Sequence, residues 1–146
     1  MSSSIVVVGG NIAGGRAVEA LRKEGFDGQI TLVGAESELP YERPPLSKGY
    51  LTGEVSDGEF SIATAEGYAE QQIETRLGVR ATSLQPDAQT VTLDDGSTLH
   101  YDQLLIATGA SPRHLNVPGS DLPGIHYLRT VEDSRSIRED LARAER

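Results

Sequence analysis

The stretch that decides the fold is Ile5-Val6-Val7-Val8-Gly9-Gly10-Asn11-Ile12-Ala13-Gly14. Four β-branched apolar residues in succession, with no polar alternation, suit a short parallel strand buried on both faces. A glycine pair ends the run. From there Ala13, Ala17, Val18 and Leu21 recur at helical spacing, Arg22, Lys23 and Glu24 fall toward the other face, and Gly25 stands where the helix should stop. Ile30-Thr31-Leu32-Val33 reads as a second strand. Strand, glycine turn, helix and strand make a βαβ unit and predict an α/β fold built on a parallel sheet.

Residues 34–59 lack regular pattern but hold Pro40-Tyr41-Glu42-Arg43-Pro44-Pro45-Leu46-Ser47-Lys48, and a connection of this length is more often functional than idle. A short helix is predicted over about Glu66–Gln71 and a strand over Ile73–Leu77. From Val79 the pattern changes. Val79, Ala81 and Ser83, then Val91 and Leu93, then Leu99 and Tyr101 alternate with polar residues, and Asp94-Asp95-Gly96 supplies hairpin-turn chemistry, so Val79–Tyr101 is expected to be an antiparallel meander. Leu104-Leu105-Ile106-Ala107 returns to the apolar run of a buried parallel strand and ends at Thr108-Gly109. The tail from about Asp133 to Arg146 reads as a charged helix, solvated on most sides.

Composition removes several function classes. The chain has 146 residues with 13 basic and 22 acidic side chains, a formal charge of -9, which would repel a phosphate backbone. Nucleic acid is not an expected partner. The opening Met1-Ser2-Ser3-Ser4 has no cationic region and the apolar run after it is short, so no signal peptide and no membrane span are expected, and the cytoplasm is the default location. There is no cysteine, hence no disulfide framework, thiolate metal site or redox-active cysteine pair, and redox chemistry would need a bound cofactor. His100, His114 and His126 lack metal-ligand spacing. Gly119-Ser120 lacks the flanking residues of a nucleophile elbow.

Gly9-Gly10-Asn11-Ile12-Ala13-Gly14 occupies the place of a dinucleotide fingerprint, in which the first glycine makes the turn, the second admits a pyrophosphate, and the third lets helix and strand approach. Asn11 stands at the second glycine position, where its tolerance of left-handed backbone and a short side chain able to contact a phosphate leave the site altered rather than abolished. Glu36, just past the second strand, is placed to accept from ribose hydroxyls; Glu38 competes, and solvated loop acids are the plainer alternative. Carboxylates here would repel a 2'-phosphate, which favours FAD or NAD over NADP.

Beyond the glycine turn, the order Ile30-Thr31-Leu32-Val33-Gly34, Leu39-Pro40-Tyr41-Glu42-Arg43-Pro44-Pro45-Leu46-Ser47-Lys48, Tyr101-Asp102-Gln103-Leu104-Leu105-Ile106-Ala107-Thr108-Gly109 and Leu128-Arg129-Thr130 resembles the FAD-dependent ferredoxin and rubredoxin reductases of the pyridine nucleotide-disulfide oxidoreductase superfamily. The Arg-Pro-Pro-Leu-Ser-Lys block is the most specific part, and the resemblance covers essentially the whole chain. It implies a Rossmann-like FAD/NAD(P)-binding three-layer fold, with parallel sheet and antiparallel β-meander, present here incompletely. It implies FAD as cofactor, NAD(P)H as reductant and a small iron-sulfur protein, ferredoxin or rubredoxin, as electron acceptor. Gly9, Gly10, Asn11, Ile12, Ala13 and Gly14 would hold the pyrophosphate. Arg43, Lys48 and Arg129 match FAD contacts, and Lys48, the catalytic candidate, would lie near the isoalloxazine, where a cation favours electron density arriving on the ring. Ala81 matches the position whose backbone meets the adenine, and Ala107, Thr108 and Gly109 end a strand close to the cofactor. Ala35 departs from the acidic residue that some members carry, which leaves the ribose contact to Glu36.

The resemblance also places residues 1–115 as the first segment of an FAD-binding domain and 116–146 as a connector and helix leading toward an NAD-binding domain absent from this chain. Turnover by the chain alone is not expected, because hydride transfer needs a nicotinamide held against the flavin; another chain could supply the missing domains. A rival reading keeps the fold but not the catalysis, as a nucleotide-binding or regulatory module. A glutathione-reductase-type disulfide reductase is disfavoured by the missing cysteines.

Overall fold

The computed structural model describes residues 3–144, which divide into two compact units: residues 3–41 with 61–109, and 42–60 with 110–144. In the first unit, β1 (Ser4–Val8), β2 (Gln29–Gly34), β3 (Ile73–Leu77) and β7 (Gln103–Ile106) form a parallel sheet in the order β3-β2-β1-β7. Helix α1 (Ile12–Lys23) makes the crossover from β1 to β2, and α3 (Ala65–Glu70) precedes β3. β4 (Ala81–Gln85), β5 (Thr90–Leu93) and β6 (Thr98–His100) form the antiparallel meander expected over Val79–Tyr101.

The apolar run of β1 explains the layering. Alternate side chains point to opposite faces, so Ile5 and Val7 pack with Val18 of α1, Ile30, Leu32, Ile73 and Tyr68 of α3 on one side. Val6 and Val8 pack with Val33, Val91 and Leu93 on the other, where the meander lies. Helices, parallel sheet and antiparallel sheet are therefore three layers, with β1 and β2 covered on both faces. The Asp94-Asp95-Gly96 turn behaves as its chemistry predicts. Asp95 Oδ1 accepts from the Ser97 amide at 2.8 Å and hydroxyl at 2.6 Å, bonds that hold its carboxyl below the usual range, and Gly96 has φ +83°.

Two expectations are corrected. The segment read as a buried parallel strand at Leu104–Ala107 does pair with β1, but β7 lies at the sheet edge, and Leu105 and Ile106 are 40% and 60% exposed. An apolar run alone does not distinguish a central strand from an edge strand. Arg22, assigned to the solvated face of α1, is half-buried: Nε donates to Gln71 O at 2.7 Å, Nη1 to Phe26 O at 2.7 Å and Gly28 O at 2.8 Å, and Nη2 to Gln72 O at 2.8 Å. The planar guanidinium is the one side chain able to serve so many carbonyls at once.

In the second unit the patternless loop contains a 3-10 helix at Pro44–Ser47 and a single helical turn, α2 (Gly49–Thr52). Pro44 and Pro45 open the 3-10 helix, where a fixed φ is an advantage and a missing N–H costs nothing. Helix α4 (Val131–Arg143) begins slightly before the predicted start because Thr130 and Asp133 form a capping box. Its Val131 and Ser134 are buried, and Ser134 Oγ donates to Leu46 O at 2.8 Å.

Candidate functional site

The glycine turn of the first unit is shaped by close backbone approaches. Gly9 adopts φ +132°, a region L side chains rarely enter, and a Cβ there would stand 2.0 Å from Ala107 O. At Gly14 a Cβ would stand 1.8 Å from Gly9 O, so the helix packs directly on its own turn. At Gly10 it would stand 2.8 Å from the Cα of Gly34, which means that the ends of β1 and β2 touch through their backbones. Gly15, which sequence reasoning passed over, sits under Ile62, Pro40 and Tyr68, with a notional Cβ 2.3 Å from Ile62 Cδ1. Gly9, Gly10 and Gly14 are thus sterically required, although only Gly9 and Gly14 hold fingerprint positions, and the turn leaves the start of α1 facing outward: Ile12 and Ala13 are exposed.

Asn11 is not in the left-handed conformation that was one expected reason for tolerating it. Its backbone is extended, at φ -110° and ψ -174°, as befits a helix N-cap. Its side chain is what matters: Oδ1 accepts from Ala13 N at 2.9 Å and Gly14 N at 3.4 Å, and Nδ2 donates to Ala107 O at 2.5 Å. Gly9, Asn11, Gly14 and Ala107 are therefore one contact group, and Ala107 N is itself bonded to Val8 O at 2.7 Å. Thr108 and Gly109 follow as exposed residues, Gly109 with φ +75°.

Glu36 is half-buried just beyond β2 and accepts from the Tyr41 hydroxyl at 2.5 Å; Glu38 is also half-buried. Tyr41 was not singled out by sequence, and its spacing of five residues from Glu36 within an irregular loop offered no signal. Ala81 and Thr108 line an apolar cleft of about 210 Å³ with Val8, Val91, Leu104 and Ile106.

Within the second unit, the structure brings Arg43 and Arg129 together. Arg43 Nη1 donates to Arg129 O, and the two residues line one cleft with Leu46, Ser47 and Leu128. Asp133 fixes the Arg129 backbone by accepting from Arg129 N at 2.9 Å and Thr130 N at 2.7 Å. Burial would raise the Asp133 carboxyl, but the bonds from Thr130 and Arg129 outweigh it and hold the group below its ordinary value. Lys48 is exposed at the junction of the 3-10 helix and α2. A cluster missed by sequence lies nearby on the same unit. Buried Tyr50 donates to Asp57 Oδ1 at 2.6 Å, and Arg135 donates to Tyr50 at 3.1 Å and to Asp57 at 3.0 Å. The hydrogen bonds from Tyr50 and Arg135 hold Asp57 below the usual carboxylate range. Among the described residues no three acidic or histidine side chains converge as a metal site, and no helix is long and apolar enough to cross a membrane.

A parallel sheet opening on a glycine turn, with a helix N-terminus facing out and a meander on the far face, defines a dinucleotide-binding fold of the Rossmann class. Residues 3–146 match the family model described as pyridine nucleotide-disulphide oxidoreductase, and the chain belongs to that family. It is 46% identical over 139 residues to the ferredoxin–NAD(+) reductase component of a p-cumate 2,3-dioxygenase system from Pseudomonas putida, covering 95% of this chain and 34% of that protein. It is 42% identical over 139 residues to rhodocoxin reductase from Rhodococcus erythropolis, covering 95% of this chain and 33% of the relative. Among solved structures, putidaredoxin reductase in its covalent complex with putidaredoxin superposes with TM-score 0.86 at 37% identity, over 95% of this chain and 34% of that one. The chain spans about a third of the length of these relatives and corresponds to their N-terminal segment.

Proposed function

We propose that this chain is the FAD-binding portion of a flavoprotein reductase that passes electrons from NAD(P)H through FAD to a ferredoxin or rubredoxin type acceptor in the cytoplasm. The observation that carries the reading is the turn from Gly9 to Gly14. Added Cβ atoms at Gly9 and Gly14 would stand 2.0 Å and 1.8 Å from the protein's own backbone oxygens, so only glycine closes this turn, which sets the exposed N-terminus of α1 at the end of β1. This is the shape and polarity that a diphosphate requires.

The residues present fit FAD, which when bound supplies a carrier able to take an electron pair and release single electrons. Ile12, Ala13 and Gly14 carry the backbone N–H groups at the start of α1 that would serve the diphosphate, while Gly9, Gly10 and Gly14 keep the turn closed beneath them. Glu36, with one oxygen held by Tyr41, accepts from the ribose. Ala81 meets the adenine through its backbone, and Ala107, Thr108 and Gly109 border the nucleotide. Arg43, Arg129 and Lys48 would take the FAD contacts that the family resemblance implies, Lys48 as a cation that favours electron density arriving on the flavin. Residues 1–115 serve as the first segment of the FAD domain, and 116–146 as the connector beyond it.

Titration of the apoprotein with FAD, followed by quenching of flavin fluorescence, tests the reading. Saturable binding that is lost in Gly14→Val is expected; equal affinity in wild type and Gly14→Val refutes the assignment. Binding without NADH-driven reduction of the flavin identifies the chain as a module that holds the nucleotide and depends on further domains for turnover.

A further inference from the structure

The Asn11 side chain engages two of the free backbone donors at the start of α1. Its Oδ1 accepts from the Ala13 amide at 2.9 Å and the Gly14 amide at 3.4 Å. These are the second and third N–H groups of α1, which have no partner inside the helix. The same amide donates through Nδ2 to Ala107 O at 2.5 Å, across the turn. The extended backbone at Asn11 is one that any residue adopts, so the conformation gives no reason for an asparagine there. The reason is in the side chain: an acceptor and a donor on one rigid group, reaching two segments at once.

Resting on the nucleotide-binding reading above, we propose that Asn11 is a self-cap, a positioning residue that holds the Ala13 and Gly14 N–H groups in the nucleotide-free protein and yields them to the diphosphate on binding. Two effects of opposite sign follow. The cap stabilises the empty turn and ties it to the segment after β7, which keeps the cradle formed before any ligand arrives. It also opposes binding, since the ligand's oxygens must displace an acceptor that is already in place. A glycine at this position would leave the amides to water and avoid that exchange.

The test uses Asn11→Ala, which retains the Cβ and removes only the amide, with Asn11→Ser as the conservative variant because serine caps helices comparably. ADP serves as the probe, so that the diphosphate contact is read without the flavin, and amide hydrogen exchange is followed by NMR in the absence of ligand. The expected result for Asn11→Ala is exchange at Ala13 and Gly14 faster by about fivefold, a lower melting temperature without ligand, and ADP affinity tighter by about fivefold, the scale of one lost N-cap. Asn11→Ser should return all three toward wild type. Unchanged exchange in Asn11→Ala, or ADP affinity equal to or weaker than wild type, overturns the self-cap. So does a loss of affinity of tenfold or more in Asn11→Ser, which would show the amide itself holding the ligand, and this arm stands even where Asn11→Ala fails to fold. If wild type binds neither ADP nor FAD, the nucleotide reading itself fails, and the self-cap falls with it.

Discussion

Replacing Gly14 by alanine isolates the steric demand of the turn from its conformational demand. The added Cβ would lie 3.0 Å from Gly9 C and 1.8 Å from Gly9 O, the latter 1.2 Å short of the 3.0 Å that real Cβ contacts respect. The partner is backbone and cannot rotate away. Gly9 N is bonded to Val33 O at 2.8 Å, so the turn is held and the helix must retreat. Retreat by an ångström withdraws Val18, fully buried among Ile5, Val7, Ile30 and Leu32, from the core. Overpacking a formed core costs about 1–3 kcal/mol, and a backbone clash with core disruption belongs at the upper end. The expected loss is therefore about 3 kcal/mol, a fall of roughly 10 °C for a chain of this size. Gly25→Ala is the control: that residue has φ +86° and nothing within 4 Å of a Cβ, so it pays only for conformation, about 1–2 kcal/mol. Urea and thermal denaturation followed by circular dichroism give both values. A Gly14→Ala protein as stable as wild type, or no more damaged than Gly25→Ala, would refute the claim that α1 rests on Gly9.

Two further outcomes follow from buried polar groups. Arg22→Ala should cost about 3 kcal/mol in urea denaturation, because four carbonyls lose a charged donor, and Arg22→Lys should recover only part of it; a lysine variant equal to wild type would rule out the bridging role. Tyr68, nearly fully buried, has a hydroxyl without a hydrogen-bond partner, and burial first, then the negative charge of Glu19, pushes its ionisation up to about 12. Tyr68→Phe should accordingly be as stable as wild type or more stable by up to about 1 kcal/mol at neutral pH. Because the folded value lies above the ordinary value of 10, the neutral phenol stabilises the fold below pH 10, and wild type should lose that contribution as pH rises from 10 toward 12. A phenylalanine variant with the same alkaline decline would show that Tyr68 is not its source.

The layered fold was legible because its signals are short-range. Ile5–Val8 announced a strand covered on both faces, Val79–Tyr101 announced a half-covered meander, and the change from one pattern to the other marked the change of sheet. Position within the sheet was not legible, since the apolar sequence Leu104-Leu105-Ile106 reads the same in the centre as at the edge where β7 lies. The same limit explains Arg22. Its place in the helical period put it on the outer face, but its carbonyl partners at Gln71 and Gln72 come from residues about fifty positions away that only the fold brings near.

The site divides along the same line. Gly9 and Gly14 could be read because a turn from strand to helix imposes its steric requirement within six residues, and any chain making that turn must meet it. Asn11 could be located by the same pattern but not understood from it. Half of its role is local, as the N-cap acceptor for Ala13 and Gly14; the other half depends on Ala107, 96 residues away, whose carbonyl is brought against the turn by the pairing of β7 with β1. A local argument therefore assigned asparagine a tolerance, left-handed backbone, that the structure does not use. The tertiary contact replaces that tolerance with a bond, so the identity of residue 11 is constrained from two distant segments of the chain rather than by its own backbone.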